Sequence, residues 1–228
     1  MLLPINQTLS PLNKQMISTG MIYPDDWWTI DTISPIVAYQ PYNVSNYNNS
    51  LINLANPGTL DAYNDDDNAT DPDWSSANGW EFDGTGSLNT HINAFSYSNL
   101  SLIFKYDSLT LETVYLLGAY YSQRWHFGVN STTFRLANGG TTTGSYGTSA
   151  TSGVCGWSGS NFFQDGSKIS SSLNTGIYPS ANIQIGGLGY DDGNTNYRAT
   201  FNCQAIAIYD QTLTDTQMQT LTTRLQGL

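Results

Sequence analysis

"YRATFNCQAIAIYDQTLTDTQMQTLTTRLQ", residues 197–226, reads as one long strand that runs into one helix. The run over 197–210 has the apolar, β-branched and aromatic content of a buried strand. After it comes a helix start that can be argued residue by residue. Thr214 suits the N-cap, and Gln217 three positions on completes a capping box. Leu213 and Met218 stand where a hydrophobic staple places its two members. Met218, Leu221 and Leu225 fall on one face, and Gly227 stands as the stop. A helix of about 12 residues is marginal alone in water. It must therefore dock its apolar stripe on whatever the rest of the chain forms.

Upstream, the rest reads as short strands and turns. "SPIVAYQP" (34–41) is an apolar run between prolines, hence a strand. "SNLSLIFKYDS" (98–108) alternates: Leu100, Leu102, Phe104 and Tyr106 face one way, Ser101 and Lys105 the other. "ETVYLLGAYY" (112–121), "RWHFGVN" (124–130) and "TTFRLANG" (132–139) continue at hairpin spacing. "NFFQDGSKI" (161–169) contains Asp165 and Gly166, a two-residue hairpin turn. "ANIQIGGL" (181–188) is a further strand. "NLANPGTLDAYNDDDNATDPDW" (53–74) is loop. "GGTTTGSYGTSATSG" (139–153) is weakly patterned, either a weak strand pair or a loop. No repeat and no linker breaks the chain. Residues 1–33 sustain no alternation and are expected to form an N-terminal arm, with one domain over 34–228. Trp27 and Trp28 carry too much apolar area to stand in water. Either they cover their own chain's core, or they are assembly residues that dock on a neighbouring subunit.

The 228 residues carry a formal net charge of −11 with seven Lys plus Arg. Phosphate neutralisation needs a basic face, so nucleic acid is excluded as a partner. An anionic membrane surface is disfavoured for the same reason. No stretch approaches the length of a membrane-spanning helix, so no membrane insertion is expected. The N-terminus lacks a charged region and an apolar run of signal-peptide length. The expectation is a trimmed signal, or release by another route such as lysis of an infected cell. Cys155 and Cys203 fit either a bridge or two buried thiols.

Three pieces together resemble the concanavalin A-like jelly roll of the laminin-G-like type. They are "GWEFDGTGSLNT" (79–90), "FFQDGSKI" (162–169) and "IQIGGLGYDDG" (183–193) with the closing strand and helix. The likeness spans roughly 35–228. It implies an all-β fold, a two-sheet antiparallel jelly-roll sandwich shut by a short C-terminal helix. The superfamily also contains glycoside hydrolases that place two glutamates on one strand with an aspartate between them. Retaining chemistry needs such carboxyl groups about 5.5 Å apart. This chain has only Glu81 and Glu112. Alternation puts Glu81 and Asp83 together on a solvent face, and no second glutamate is near. His91 and His126 have no nucleophile motif beside them. The chain is therefore expected not to be an enzyme.

Recognition is the remaining chemistry. A sugar has an apolar face and a polar rim, so aromatic platforms beside polar loops suit it. Tyr120, Tyr121, Trp157 and Tyr190 adjoin loops and are the candidate platforms. Asp191, Asp192 and Asn194 are the ligand-binding polar groups beside them, although turn-forming residues in a turn explain the same letters. Asp65, Asp67 and Asp71, with Asp73, could hold calcium, which takes six to eight oxygens from a flexible loop. Ala69 and Thr70 break the EF-hand pattern there, and a solvated acidic loop is the simpler reading.

Three functions compete. The first is a virion structural or surface protein, such as a phage decoration, fibre or tail subunit. Its lectin-like domain would adhere to host glycans, and its partners would be other virion proteins or copies of itself. It would lie on the virion surface or outside the cell. The second is a secreted carbohydrate-binding or adhesion module. The third is a hydrolase, which the shortage of glutamate disfavours.

Overall fold

The computed structural model describes residues 26–64, 69–141, 143–173, 175–190 and 195–228. Two eight-stranded sheets stack face to face. The first contains β1 (Val37–Tyr39), β2 (Asp73–Ser75), β3 (Gly79–Asp83), β5 (Ser101–Asp107), β10 (Gly153–Ser158), β11 (Asn161–Gln164), β12 (Ser167–Ser170) and β16 (Thr200–Tyr209). The second contains β4 (Leu88–Asn93), β6 (Val114–Tyr120), β7 (Arg124–Asn130), β8 (Thr133–Asn138), β9 (Gly144–Tyr146), β13 (Asn182–Ile185), β14 (Leu188–Tyr190) and β15 (Thr195–Asn196). These strands pair antiparallel, except that β14 runs parallel to β6. This is the expected jelly-roll sandwich. Among the described residues the helices are α1 (Tyr47–Ser50), one short 3-10 turn at Ala94–Ser96, and α2 (Asp215–Gln226).

The alternation read from the sequence sets the two inner faces. Leu100, Leu102, Phe104 and Tyr106 enter the inter-sheet core with Trp80, Phe82, Trp125 and Phe127. Phe82 and Phe201 stack at 4.9 Å, and Phe127 and Phe134 at 5.2 Å. The Asp165–Gly166 turn joins β11 to β12 with both residues at positive φ, as that two-residue turn demands. The 139–153 stretch forms only the three-residue β9 against β8, not a strand pair. The described start of the 53–74 stretch is anchored rather than loose, and its end, Asp73 and Trp74, opens β2. Its buried Asn53 accepts from Ala38 N at 3.0 Å and donates to Ile36 O and Thr59 O.

A second apolar cluster lies on the outside of the first sheet. Ala38, Ile103, Val154, Phe163, Ala205 and Ala207 point there. α2 covers them with Met218, Leu221 and Leu225, all buried. Its capping box is present, with Thr214 N donating to Gln217 Oε1 at 2.9 Å and Gln217 N to Thr214 Oγ1 at 3.3 Å. Leu213 is pinned by Ser158, whose hydroxyl donates to Leu213 O at 2.8 Å and accepts from Leu213 N at 2.7 Å. Gly227 caps the end with ordinary helical torsions rather than the left-handed ones.

Trp27 and Trp28 complete this cover, packed edge to face at 5.5 Å. Trp27 Nε1 donates to Gln40 Oε1 at 2.8 Å, and Trp28 O accepts from Tyr209 Oη at 2.7 Å. Arg224 donates to Thr29 O, and Gln217 to Asp31. The tryptophans are thus buried by their own chain, which corrects their assignment as assembly residues. Their area is spent on the chain's own core and is not free for a neighbouring subunit. Residues 1–25 of the expected arm lie outside the described residues.

Cys155 and Cys203 are free and buried, on strands either side of β5. Burial pushes both thiols well above the ordinary value. Two measurements test this packing. Trp27→Ala should cost about 3–5 kcal/mol in urea unfolding, because it opens a large cavity and deprives Gln40 of its partner. Both thiols should resist a thiol-reactive dye in the native state and react together once the chain is denatured.

Candidate functional site

The outside of the second sheet is built differently. Its middle strands place three cross-strand rows side by side. One row pairs Tyr120 with Arg124, and the Arg124 guanidinium lies over the Tyr120 ring at 5.3 Å. A second row runs Tyr115, Gly128 and Arg135, with the Arg135 guanidinium over the Tyr115 ring at 5.5 Å. Between them lies a row of Asn89, Gln184, Gly118, His126 and Ala137. Both flanking rows have the same composition: a tyrosine carrying an arginine.

The glycines make this geometry. A Cβ at Gly128 would strike Val114 O and come within 2.6 Å of Tyr115 Cδ1. A Cβ at Gly118 would lie 2.5 Å from His126 Cβ. Their bare backbones let the Tyr115 ring and the His126 imidazole lie low on the sheet, 4.5 Å apart. Tyr197 meets Tyr115 edge on at 5.8 Å and is 60% exposed. Tyr190 meets Tyr120 in the same way at 5.0 Å. The result is a strip of tyrosines set edge to face, Tyr115 buried and Tyr120, Tyr190 and Tyr197 partly exposed, with a guanidinium over two of the rings.

Arg124 Nη1 donates to Thr143 Oγ1 at 3.0 Å, and that hydroxyl lies 3.2 Å from His126 Nε2. His126 is fully buried, and its Nδ1 has no hydrogen-bond partner among the described residues. Gln184 Oε1 in the same row is also buried without one, as is Arg124 Nε. Such atoms are few in a native fold and cost about 1–3 kcal/mol each. Three of them lie in this strip. His126 is pushed down to about 3, first by burial, then by the charges of Arg124 and Arg135.

The residues expected from sequence separate into groups. Tyr120 and Tyr190 come together as half-buried rings at one platform. Tyr121, on the adjoining turn, is half-exposed, and its backbone N donates to Gln123 O. Trp157 is fully buried, stacked on Phe127 and tilted against Trp125. It is a core residue, which corrects its assignment as a sugar platform: its strand position faces the opposite sheet. Asp191, Asp192 and Asn194 lie outside the described residues, as do Asp65 and Asp67. Asp71 and Asp73 are exposed. Among the described residues no group of three His, Cys, Asp or Glu side chains gathers at one point. Glu81 lies on β3 of the first sheet, and Glu112 is exposed in the loop before β6. A depression of about 420 Å³ on the first sheet is lined by Lys105, Asp107 and Asp165. The only ring that lines it, Tyr106, is buried.

Arg124, Arg135 and Tyr115 are absent from the residues expected from sequence, although a signal was there. In a chain with seven cations, two stand at outward positions of adjacent strands.

No protein-family profile and no curated protein matches the chain. Solved structures do. A Trypanosoma rangeli sialidase in complex with the inhibitor DANA superposes with a TM-score of 0.58 at 17% identity. The match covers 86% of this chain and 33% of the sialidase. The binding domain of botulinum neurotoxin serotype D matches with a TM-score of 0.53 at 13% identity, over 83% of this chain and 52% of that one. A Ruminococcus gnavus IT-sialidase CBM40 bound to alpha2,3 sialyllactose matches at 0.43 and 13% identity, over 55% of this chain and 83% of its own, too loosely to carry an argument. The chain thus spans about a third of the sialidase. At these identities the likeness establishes a shared β-sandwich fold. No described helix is long and apolar enough to cross a membrane.

The titration of His126 gives a test of this strip. The unfolded imidazole titrates near 6.5 and the folded one near 3. Between those values the unfolded chain holds a proton that the folded chain does not, so stability rises with pH. The His126 contribution is complete above about 6.5 and is lost as pH falls toward about 3. Urea unfolding should therefore show a lower stability at pH 4 than at pH 7, and His126→Gln should flatten that difference.

Proposed function

We propose that this chain is a non-catalytic glycan-binding module that uses the outer face of its second sheet. It acts on an exterior surface, either as a virion decoration, fibre or tail subunit or as a secreted adhesion module. The observation that carries the reading is the group of partly exposed rings Tyr120, Tyr190 and Tyr197, beside the buried Tyr115 that Gly128 lets lie low on the sheet. Rings of this kind offer flat apolar area with a polar tip, which suits the apolar face and hydroxyl rim of a sugar. Arg124 and Thr143 stand at the edge as directional hydrogen-bonding groups. Glycans attached to a host surface are the partners, and nucleic acid is not, given the net charge of −11. Calcium at the 65–73 loop belongs to the same proposal, as a stabiliser of the loop rather than a reactant.

The absence of turnover is part of the reading. It is supported by the count of two glutamates, Glu81 on β3 and Glu112 in the loop before β6, with no pair of them on one strand. Glycan-array screening of the whole chain tests it. Binding to at least one oligosaccharide should appear, should weaken about tenfold in Tyr120→Ala, and should release no free sugar. Arrays that stay blank, or a bound glycan that is cleaved, would overturn the reading.

A further inference from the structure

We infer that the bound glycan is acidic, and that Arg124 and Arg135, one at each end of the strip, bind its carboxylate or sulfate groups. This rests on the glycan-binding reading above and names the ligand's chemistry.

Charge sets the background. The chain has eighteen Asp plus Glu against seven Lys plus Arg. In such a chain an arginine finds a carboxylate readily. Lys168 does so, with Asp215 at 2.8 Å, in the one ion pair found among the described residues. Arg124 and Arg135 do not, although they stand on neighbouring strands of one face. Each is instead stacked on a tyrosine. Stacking fixes the plane of a guanidinium and leaves its N–H edges for another group. Arg124 spends one N–H on Thr143, and its Nε has no acceptor among the described residues. The Arg135 guanidinium makes no hydrogen bond to any described residue.

The two positions lie two rows apart, roughly 13 Å along the strands at about 3.3 Å per residue. The row between them is buried, with His126 0% exposed. The guanidiniums therefore stand at the two ends of the strip, with no carboxylate of a described residue paired to either. An anionic group that meets either guanidinium gains a charge partner that the described residues do not supply. An arginine fork also binds carboxylate and sulfate oxygens in pairs, with directionality that a hydroxyl cannot match. The tyrosines would carry the sugar ring, and the arginines its charge. A neutral sugar would leave both cations unanswered.

The experiment uses the full chain and matched probes: lactose, sialyllactose and sulfated lactose, with an array of neutral, carboxylated and sulfated glycans beside them. Acidic members should bind at least about tenfold more tightly than their neutral counterparts. That preference should shrink as salt is raised. Arg135→Gln is the decisive variant, because no described protein group depends on the Arg135 side chain through a hydrogen bond. It should remove most of the preference by weakening acidic binding far more than neutral binding, with a cooperative melting transition showing that the chain still folds. Arg124→Gln should also reduce the preference. A preference for carboxylate over sulfate, or the reverse, supports the inference and identifies which anion is read. Neutral glycans bound as tightly as acidic ones, or an acid preference that survives both variants, would overturn this inference and leave the glycan-binding reading standing. An array on which nothing binds would remove both.

Discussion

The outside of the first sheet is apolar, and the rest of the structure answers the need to cover it. Ala38, Ile103, Val154, Phe163, Ala205 and Ala207 would face water if the sandwich ended at two layers. A sheet that is apolar on both faces must be buried on both. The chain supplies the third layer from two distant segments. α2 lays Met218, Leu221 and Leu225 on the sheet, and the segment before β1 adds Trp27, Trp28 and Ile30. Arg224 and Gln217 reach across to Thr29 and Asp31, so each segment holds the other in place. Neither piece would be ordered alone: a helix of this length is marginal in water, and the tryptophan segment has only an isolated bridge between Ile30 and Ile33.

That cover decides where function can be. One outer face is closed by hydrophobic burial, and the other keeps half-exposed tyrosines and arginines beside a buried row of His126, Gln184 and Ala137. On that second face the local rules are different. Glycines remove side chains where a core sheet would add them, tyrosines lie low, and polar atoms of His126, Gln184 and Arg124 go without partners among the described residues. The stability of the sandwich comes from its interior and its covered side. The other side holds polar groups that its own described residues leave without partners. Two arginines over tyrosine rings, in an acidic chain, are the strongest instance.

Some of this could be read along the chain. Strand alternation sorts Leu100, Leu102, Phe104 and Tyr106 to the core, because period two is a local property of an extended backbone. The capping box of Thr214 and Gln217 is visible because a cap is made by residues three apart. The Asp165–Gly166 turn is visible for a similar reason. Tyr120 and Tyr190 each stand out as rings beside loops. Their meeting at 5.0 Å does not, since about seventy residues separate them in sequence and β14 joins β6 by an unusual parallel pairing. Trp157 looks equivalent to them by composition. It differs only in which way its strand faces, and that depends on which sheet the strand joins.

What the sequence determined by itself is therefore the part governed by neighbours: the strands, the turn, the capped helix, the acidic balance and the shortage of glutamates. These depend on backbone torsions, short-range hydrogen bonds and simple counts. What only the tertiary structure decided is which of the two outer faces is sealed and which keeps the tyrosines and arginines. Sealing joins residues nearly two hundred positions apart, Trp28 to Tyr209 and Thr29 to Arg224. The other face is assembled from strands that no local pattern places side by side. Long-range pairing fixes both, and its energy comes from burying surface, which is a property of the whole fold and not of any stretch within it.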